Sequence, residues 1–234
     1  MDVYESFYNK SNPISLEEKN ELLQRVFNTM GLGIFISALS AIGMERLIMA
    51  GMVSEIVLFV LIIVEFILVM FLSAKLTTLP VGTAKAAFIA YSIINGATLS
   101  VVLLAYTSSS VIGSFLIAAG MFWAASLYGK TTKKDLSTMG TYLFMALFGI
   151  IIASLVNMFL RSQTFDFVIS IVAIFVFIGL TIFDVSKITA MAENFGFSSD
   201  DDKSRIVILG ALQLYLDFIN IFLRLIRIFG KRKD

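Results

Sequence analysis

The segment LQLYLDFINIFLRLIR, residues 212–227, is an apolar run that polar residues interrupt at regular intervals. The intervals are four, three, four and three positions, and residues at such spacings lie next to one another on a helix. The interrupting residues are Gln213, Asp217, Asn220, Arg224 and Arg227. A surface amphipathic helix would need a wider polar face. The pattern therefore predicts a helix that is buried among other helices, with one narrow polar stripe turned to a polar seam.

The composition of the whole chain is typical of a membrane protein. The chain has 234 residues, of which 58% are hydrophobic and 15% are charged, whereas soluble domains carry about 25% charged residues. We expect one all-α integral membrane domain. Cysteine and histidine are absent, which excludes disulfides, Cys or His zinc sites and serine–histidine triads. Any proton chemistry must therefore use carboxylates.

Seven segments are apolar over about the 20 residues that a membrane-spanning helix needs. They are residues 26–44, 53–74, 83–106, 109–128, 138–160, 165–186 and 206–229. The connections between them are short, except for the long stretch 186–205. We predict a polar cytoplasmic N-terminal tail over 1–24, a seven-helix membrane domain over 25–229 and a basic C-terminal tail over 230–234. Ser15 and Glu18 have the spacing of a helix-capping box, and residues 1–26 lack the pattern of a signal peptide.

Lysine and arginine counts orient the predicted bundle, because cytoplasmic loops retain positive charge. With the N-terminus in the cytoplasm, the inner segments hold eleven of them: Lys10, Lys19, Arg25, Lys75, Lys85, Lys130, Lys133, Lys134, Lys187, Lys203 and Arg205. The outer loops hold Arg46 and Arg161. The basic C-terminal tail opposes this rule if the seventh segment crosses fully, but we favour a full crossing.

Three carboxylates interrupt the apolar segments, namely Glu65, Asp184 and Asp217. An acid at the centre of a membrane helix costs roughly 2.5–3.5 kcal/mol, so such residues face the bundle interior or a wet cavity. Asp217 could instead pair with a base, and Glu65 could be a hydrogen-bonded acid between helices. Asn95 and Asn157 offer amides on other helices, where most polar groups form packing hydrogen bonds. Lys75, at the end of its segment, could reach the lipid headgroups.

Three motifs together resemble the Bax inhibitor-1 family, also called the transmembrane Bax-inhibitor-motif proteins. They are AGMFWAASLYGKTTKKDLSTMG at 119–140, GLTIFDVSKI at 179–188 and LQLYLDFINIFLRLIR at 212–227. Their order fits the family, and the likeness covers about residues 25–229. The short loops resemble those of bacterial members, so the resemblance implies a bacterial inner membrane. The resemblance implies a seven-helix bundle wrapped around a central C-terminal helix.

The resemblance also implies a pH-sensitive calcium leak, in which one aspartate of the sixth helix and one of the seventh share a proton. Those positions are Asp184 and Asp217 here. The family usually has Tyr-Asp-Thr-Gln around the first aspartate, whereas this chain has Phe183, Val185 and Ser186 as neighbours. Lys75 is the nearest match to a basic residue that members often carry late in the second helix.

Physical chemistry makes such a pair plausible. Two carboxylates in a low-dielectric seam cannot both ionise cheaply, so they titrate as one unit. Loss of the shared proton adds repulsion and can bias the bundle to a second arrangement. Carboxylate and carbonyl oxygens suit Ca²⁺, and two acids make a weak, transient site of the kind that conduction needs. Glu65, Lys75, Asn95, Asn157, Gln213, Asn220 and Arg224 are further candidates for the ion path or gate.

Two other functions compete with the leak. An intramembrane aspartyl protease also uses two membrane aspartates, but LYLD at 214–217 lacks the Gly-x-Gly-Asp context of the second one, so we expect no enzyme. The alternative is a regulatory partner of a membrane-bound AAA+ protease, gripped through the N-terminal tail, without ion transport. We expect the lipid bilayer and Ca²⁺ as partners, with no nucleic acid and no tightly bound cofactor.

Overall fold

The computed structural model describes residues 16–75, 78–195 and 200–233. Over these residues the seven apolar runs form seven α-helices. In chain order the helices are α1 Leu16–Met49, α2 Glu55–Lys75, α3 Val81–Ala105, α4 Ser108–Thr131, α5 Ser137–Leu160, α6 Gln163–Phe195 and α7 Asp200–Phe229. Each is long and apolar enough to cross a membrane. The prediction of an all-α bundle of seven membrane helices is confirmed.

Three helices extend well beyond the predicted spans. α1 begins ten residues before position 26, and α6 and α7 continue into the stretch 186–205 from its two sides. The prediction of a long connection there is wrong, because only residues 196–199 separate the two helices. The apolar window measures where the chain crosses hydrocarbon, whereas a helix can continue as a polar helix in water. α6 and α7 therefore extend to within four residues of each other in the chain.

α1 begins at Leu16, within the predicted N-terminal tail 1–24. Residues 16–24, which were assigned to the tail, are helical, and the side chains of Leu22 and Leu23 are buried. Ser15 of the predicted capping box and residues 1–15 of the predicted tail lie outside the described residues. The part of the tail that is described thus packs into the bundle as the first turns of α1.

α7 is the central helix, as expected from the family resemblance. It packs against α1, α3, α4 and α6, whereas α2 packs on α3 and α5 packs on α6. Ala211, Leu214, Tyr215 and Ile221 of α7 have no exposed surface. Because α7 carries its polar stripe into the interior, the surrounding helices decide which groups meet that stripe.

Two glycines permit close helix contacts beside the interior polar groups. A Cβ atom on Gly96 of α3 would overlap the Ser37 carbonyl of α1, and one on Gly129 of α4 would lie 2.6 Å from the Ile182 carbonyl oxygen of α6. Real Cβ atoms do not approach other atoms so closely. α1 therefore packs tightly on α3, and α4 packs tightly on α6 near Asp184.

The C-terminal residues bond to the turn between α3 and α4. Thr107 N donates to the Lys231 carbonyl at 2.9 Å, and Lys233 N donates to the Ala105 carbonyl at 3.0 Å. This turn lies at the opposite end of the bundle from the start of α1, because the helices alternate in direction. α7 therefore runs the full length of the bundle, and the two ends of the described chain lie at opposite ends of it.

Candidate functional site

α7 presents polar side chains to two different parts of the bundle. Tyr215 and Asp217 are two positions apart, which is about 200° around a helix with 3.6 residues per turn. The Asp217 carboxyl faces α6, whereas the Tyr215 hydroxyl bonds to α1 and α3. The central helix thus separates two buried polar clusters, of which the sequence motifs indicate only the first.

The first cluster is the aspartate pair Asp184 and Asp217, which the structure brings together between α6 and α7. Each residue is only 5% exposed, and the two carboxyl groups interact electrostatically. Thr181, one turn before Asp184, lies in hydrogen-bonding contact with Asp217 and donates its own hydroxyl hydrogen to the Phe177 carbonyl at 2.8 Å. Asp184 Oδ1 and Asp217 Oδ2 have no hydrogen-bond partner among the described residues. The described residues therefore satisfy only part of the hydrogen-bonding capacity of the two carboxyl groups.

Lys187 is the base next to the aspartate pair. It interacts electrostatically with Asp184, although neither aspartate forms a salt bridge within the described part of the chain. Its ammonium also lies 5.9 Å from the centre of the Phe183 ring. The sequence analysis did not include Lys187 in the site, yet the spacing of three residues from Asp184 was a signal for it.

The remaining stripe residues of α7 lie on the face that carries Asp217. Gln213, Asn220 and Arg224 are half-buried. Asn220 Nδ2 donates to the Leu216 carbonyl of its own helix at 2.8 Å, and Arg224 Nη1 is buried without a partner. Arg227 closes the stripe with a 2.9 Å ion pair to Asp166 of α6. The stripe therefore follows α6 from the aspartate pair to the far end of the bundle.

The second cluster, which we call the Glu65 network, connects four helices. Asn95 Nδ2 and Thr98 Oγ1 of α3 donate to the Glu65 carboxylate of α2 at 2.5 and 2.6 Å. Tyr215 of α7 donates to Asn95 Oδ1 at 2.5 Å and lies 2.6 Å from Ser37 Oγ of α1. The structure thus brings Glu65 and Asn95 together, but around Tyr215 rather than around the aspartate pair.

Two other predicted residues lie away from both clusters. Asn157 Oδ1 accepts a hydrogen bond from Ser162 N at 3.1 Å, which caps the end of α5. That turn is about 30 Å along α6 from Asp184. Lys75 is the last residue of α2 and has an exposed side chain. Tyr215 and Ser37 belong to the Glu65 network, although neither was a predicted site residue. No spacing within one helix could have indicated them, because their partners lie on other helices.

The chemistry of the aspartate pair is that of a proton-binding site with oxygen ligands. Within residues 16–75, 78–195 and 200–233, no three acidic side chains converge on one point. Asp184 and Asp217 would therefore supply two carboxylates to a passing cation. Two carboxylates are fewer than the six to eight oxygens that a calcium storage site provides.

Comparison with known proteins agrees with the motifs and with this architecture. Residues 19–234 match the family described as "Inhibitor of apoptosis-promoting Bax1". The inner membrane protein YbhL of Escherichia coli (strain K12) is 41% identical over 218 residues, which cover 90% of this chain and 92% of YbhL. An uncharacterised protein of Borreliella burgdorferi is 43% identical over 221 residues, which cover 92% of this chain and 94% of that protein. The chain therefore belongs to the Bax inhibitor-1 family of membrane proteins, and the resemblance that its three motifs indicate is confirmed.

Proposed function

We propose that the protein is a pH-sensitive calcium leak channel in which Asp184 and Asp217 share a proton. The observation that carries the proposal is the buried contact of these two acids between α6 and α7, with an unpaired oxygen on each. Two carboxyl groups in this low-dielectric seam cannot both ionise cheaply. The pair therefore binds and releases a proton as a unit, and the aspartates act as a proton-binding pair rather than as catalytic groups.

The proton state of the pair is coupled to the packing of α6 on α7. With a shared proton, the two side chains attract each other and hold the helices together. Without it, two negative charges repel each other in a buried seam. Gly129 also holds α4 close against α6 beside Asp184. A packed interior of this kind responds by moving between discrete arrangements. We infer that these arrangements differ in their permeability to Ca²⁺.

The polar face of α7 provides a path for the ion in this proposal. Gln213, Asn220 and Arg224 extend the face of Asp217 along the bundle, and the carboxylate oxygens provide a weak, transient site for Ca²⁺. The buried Arg224 guanidinium interacts electrostatically with Asp166 and Arg227. Its positive charge would oppose cation passage unless it moves, so we assign it the role of a gate. We further propose that the membrane is a bacterial inner membrane, as the name of the Escherichia coli relative states for that protein.

Flux measurements in liposomes that enclose a calcium dye test the proposal. We expect calcium influx above that of protein-free liposomes, with a rate that depends on pH. Asp184→Asn and Asp217→Asn replace an acid by a neutral residue of the same shape, so each should abolish the pH dependence. Glu55→Gln, an exposed acid at the start of α2, is the matched control and should behave as the wild type. The absence of influx at any pH, or an unchanged pH dependence in both Asn variants, would overturn the proposal.

A further inference from the structure

A cavity rich in lysine lies at the end of the bundle where α1 begins. It has a volume of about 840 Å³ and is bounded by the α4–α5 turn and the last turns of α6. Its charged lining residues are Lys19, Lys130, Lys133, Lys134, Lys187 and Asp135. The Asp135 carboxylate already accepts hydrogen bonds from the Ser137 amide and hydroxyl. No described residue forms an ion pair with Lys130, Lys133 or Lys134. The cavity thus holds an excess of positive charge that suits an anion.

An apolar groove of about 780 Å³ runs between α1 and α4 on the side of the bundle that faces lipid. Phe218 of the central helix forms part of its floor, and Phe115, Phe122 and Trp123 of α4 contribute aromatic surface. Volumes of 300–1,000 Å³ are typical of small-molecule sites. Because both helices cross the membrane, an occupant of this groove lies among hydrocarbon chains.

The groove and the lysine cavity meet at Lys130, which lines both of them. From Lys130 the groove continues along α4 past Leu127 to Trp123, about 10 Å further along the helix axis. One continuous surface therefore leads from lysine side chains to aromatic rings.

The order of groups along this path is positive charge, then aromatic and aliphatic surface. A phospholipid has the complementary order of phosphate and acyl chain. We propose that the α1–α4 groove and the adjoining lysine cavity together bind one anionic phospholipid. Lys130 and its neighbours contact the phosphate, and one acyl chain lies along the groove.

The excess of lysine favours an anionic lipid over a zwitterionic one. A zwitterionic headgroup brings its own ammonium, which the lysines repel, whereas an anionic headgroup has a net negative charge. Basic pockets between membrane helices on one side of the bilayer are a known mode of anionic-lipid recognition. The inference does not depend on calcium flux, because neither Asp184 nor Asp217 lines the groove or the lysine cavity.

Trp123 provides a probe for the occupant of the groove. It is the only tryptophan in the chain, it lines the groove, and it is 68% exposed. The full-length protein is reconstituted in phosphatidylcholine vesicles that contain a small mole fraction of brominated lipid, whose bromine atoms quench tryptophan at short range. We expect brominated phosphatidylglycerol to quench Trp123 several-fold more strongly than brominated phosphatidylcholine at the same mole fraction.

Variants separate the headgroup contact from the acyl-chain contact. The double variant Lys130→Gln, Lys133→Gln should reduce the preference for phosphatidylglycerol by about fivefold per charge removed. Lys85→Gln removes an exposed lysine from α3 at the same end of the bundle and should leave the preference unchanged. Gly31→Leu places a side chain in the groove without a steric clash, because a Cβ atom there meets nothing within 4 Å. This variant should lower quenching by both brominated lipids.

Four results would overturn the inference. Equal quenching by the two lipids in the wild type would show ordinary lipid contact, and an unchanged preference in the double lysine variant would exclude the lysine cavity. Unchanged quenching in Gly31→Leu would exclude the groove. Excess inorganic phosphate, compared with chloride at the same ionic strength, should not remove the preference. Loss of the preference for phosphatidylglycerol in phosphate would assign the lysine cavity to a soluble anion and likewise overturn the lipid assignment.

Discussion

The hydroxyl group of Tyr215 forms hydrogen bonds that join the central helix to α1 and α3. Its hydroxyl donates to Asn95 Oδ1 and lies against Ser37 Oγ, and its ring packs edge-on to Phe88 and Tyr91. The ring has no exposed surface. A single oxygen atom therefore links the helix that carries Asp217 to the Glu65 network on its opposite side.

Tyr215→Phe keeps the ring and removes only that oxygen. The variant leaves Asn95 Oδ1 without this donor in the interior, and an unsatisfied buried group costs about 1–3 kcal/mol. We expect the free energy of unfolding to fall by that amount, measured by thermal unfolding in detergent micelles. Tyr142→Phe is the control, since Tyr142 is 66% exposed. Equal melting temperatures for the two variants would contradict a structural role of the hydroxyl.

Asp135, in the turn between α4 and α5, has a carboxyl group whose pKa a substitution should change. Hydrogen bonds from the Ser137 hydroxyl and amide hold the pKa of the Asp135 carboxyl below its usual value of 3.8. Because the folded-state pKa is lowered, the stabilisation is present above the unfolded pKa and is lost as the pH falls through the folded one. Ser137→Ala removes the hydroxyl donor, so the pKa should rise towards 3.8. A ¹³C NMR titration of the Asp135 carboxyl measures it, and an identical pKa in both proteins would contradict the assignment.

Among the helices, the close contact between α4 and α6 depends on Gly129. Gly129→Ala would place a Cβ atom 2.6 Å from the Ile182 carbonyl oxygen, which is part of the backbone and cannot rotate away. We expect a loss of about 1–3 kcal/mol in the free energy of unfolding. Gly120→Ala on the same helix meets nothing within 4 Å and should stabilise α4 by about 0.5–1 kcal/mol. Thermal unfolding of the two variants tests the contact, and destabilisation of both to the same extent would contradict it.

The helices show what hydropathy can predict and what it cannot. All seven crossings could be predicted because an apolar run of about 20 residues has few other uses. The extension of α6 to Phe195 could not, since the stretch SKITAMAENF at 186–195 is not an apolar run. α1 also extends beyond its apolar run, at its N-terminal end. Leu22 and Leu23 precede that run and are nonetheless buried.

Across the whole molecule, the alternating helices place the lysine-rich turns at one end and the C-terminal residues at the other. The natural absence of cysteine allows single-cysteine variants to be labelled without background. We expect a membrane-impermeant maleimide to label Arg232→Cys in intact cells and Lys134→Cys only after permeabilisation. Both positions are exposed. Labelling of both from the same side would contradict seven full crossings, and the cysteine-free parent controls for non-specific reaction.

The candidate site could be predicted only in part, for a reason that also belongs to the whole molecule. Spacing within α7 showed that Asp217 lies on a polar stripe, but not which helix the stripe faces. Asp184 as its partner came from the family resemblance, since the two residues are 33 positions apart in the chain. Asn95 and Glu65 were both chosen as polar groups in apolar runs, yet their meeting around Tyr215 depends on three-dimensional packing that no single-helix pattern contains.

The central position of α7 also has a consequence for biosynthesis. A membrane chain is made from its N-terminus, so α1 to α6 are in the bilayer before the helix around which they pack. Until then Ala118 of α4 and Ala173 of α6, both without exposed surface in the finished protein, lack their complete surroundings. The bundle is thus completed only when α7 joins α1 to α6, and the bonds of residues 231–233 to the α3–α4 turn can form only once α7 is in place. A chain that stops before α7 would leave six helices without the helix around which they pack.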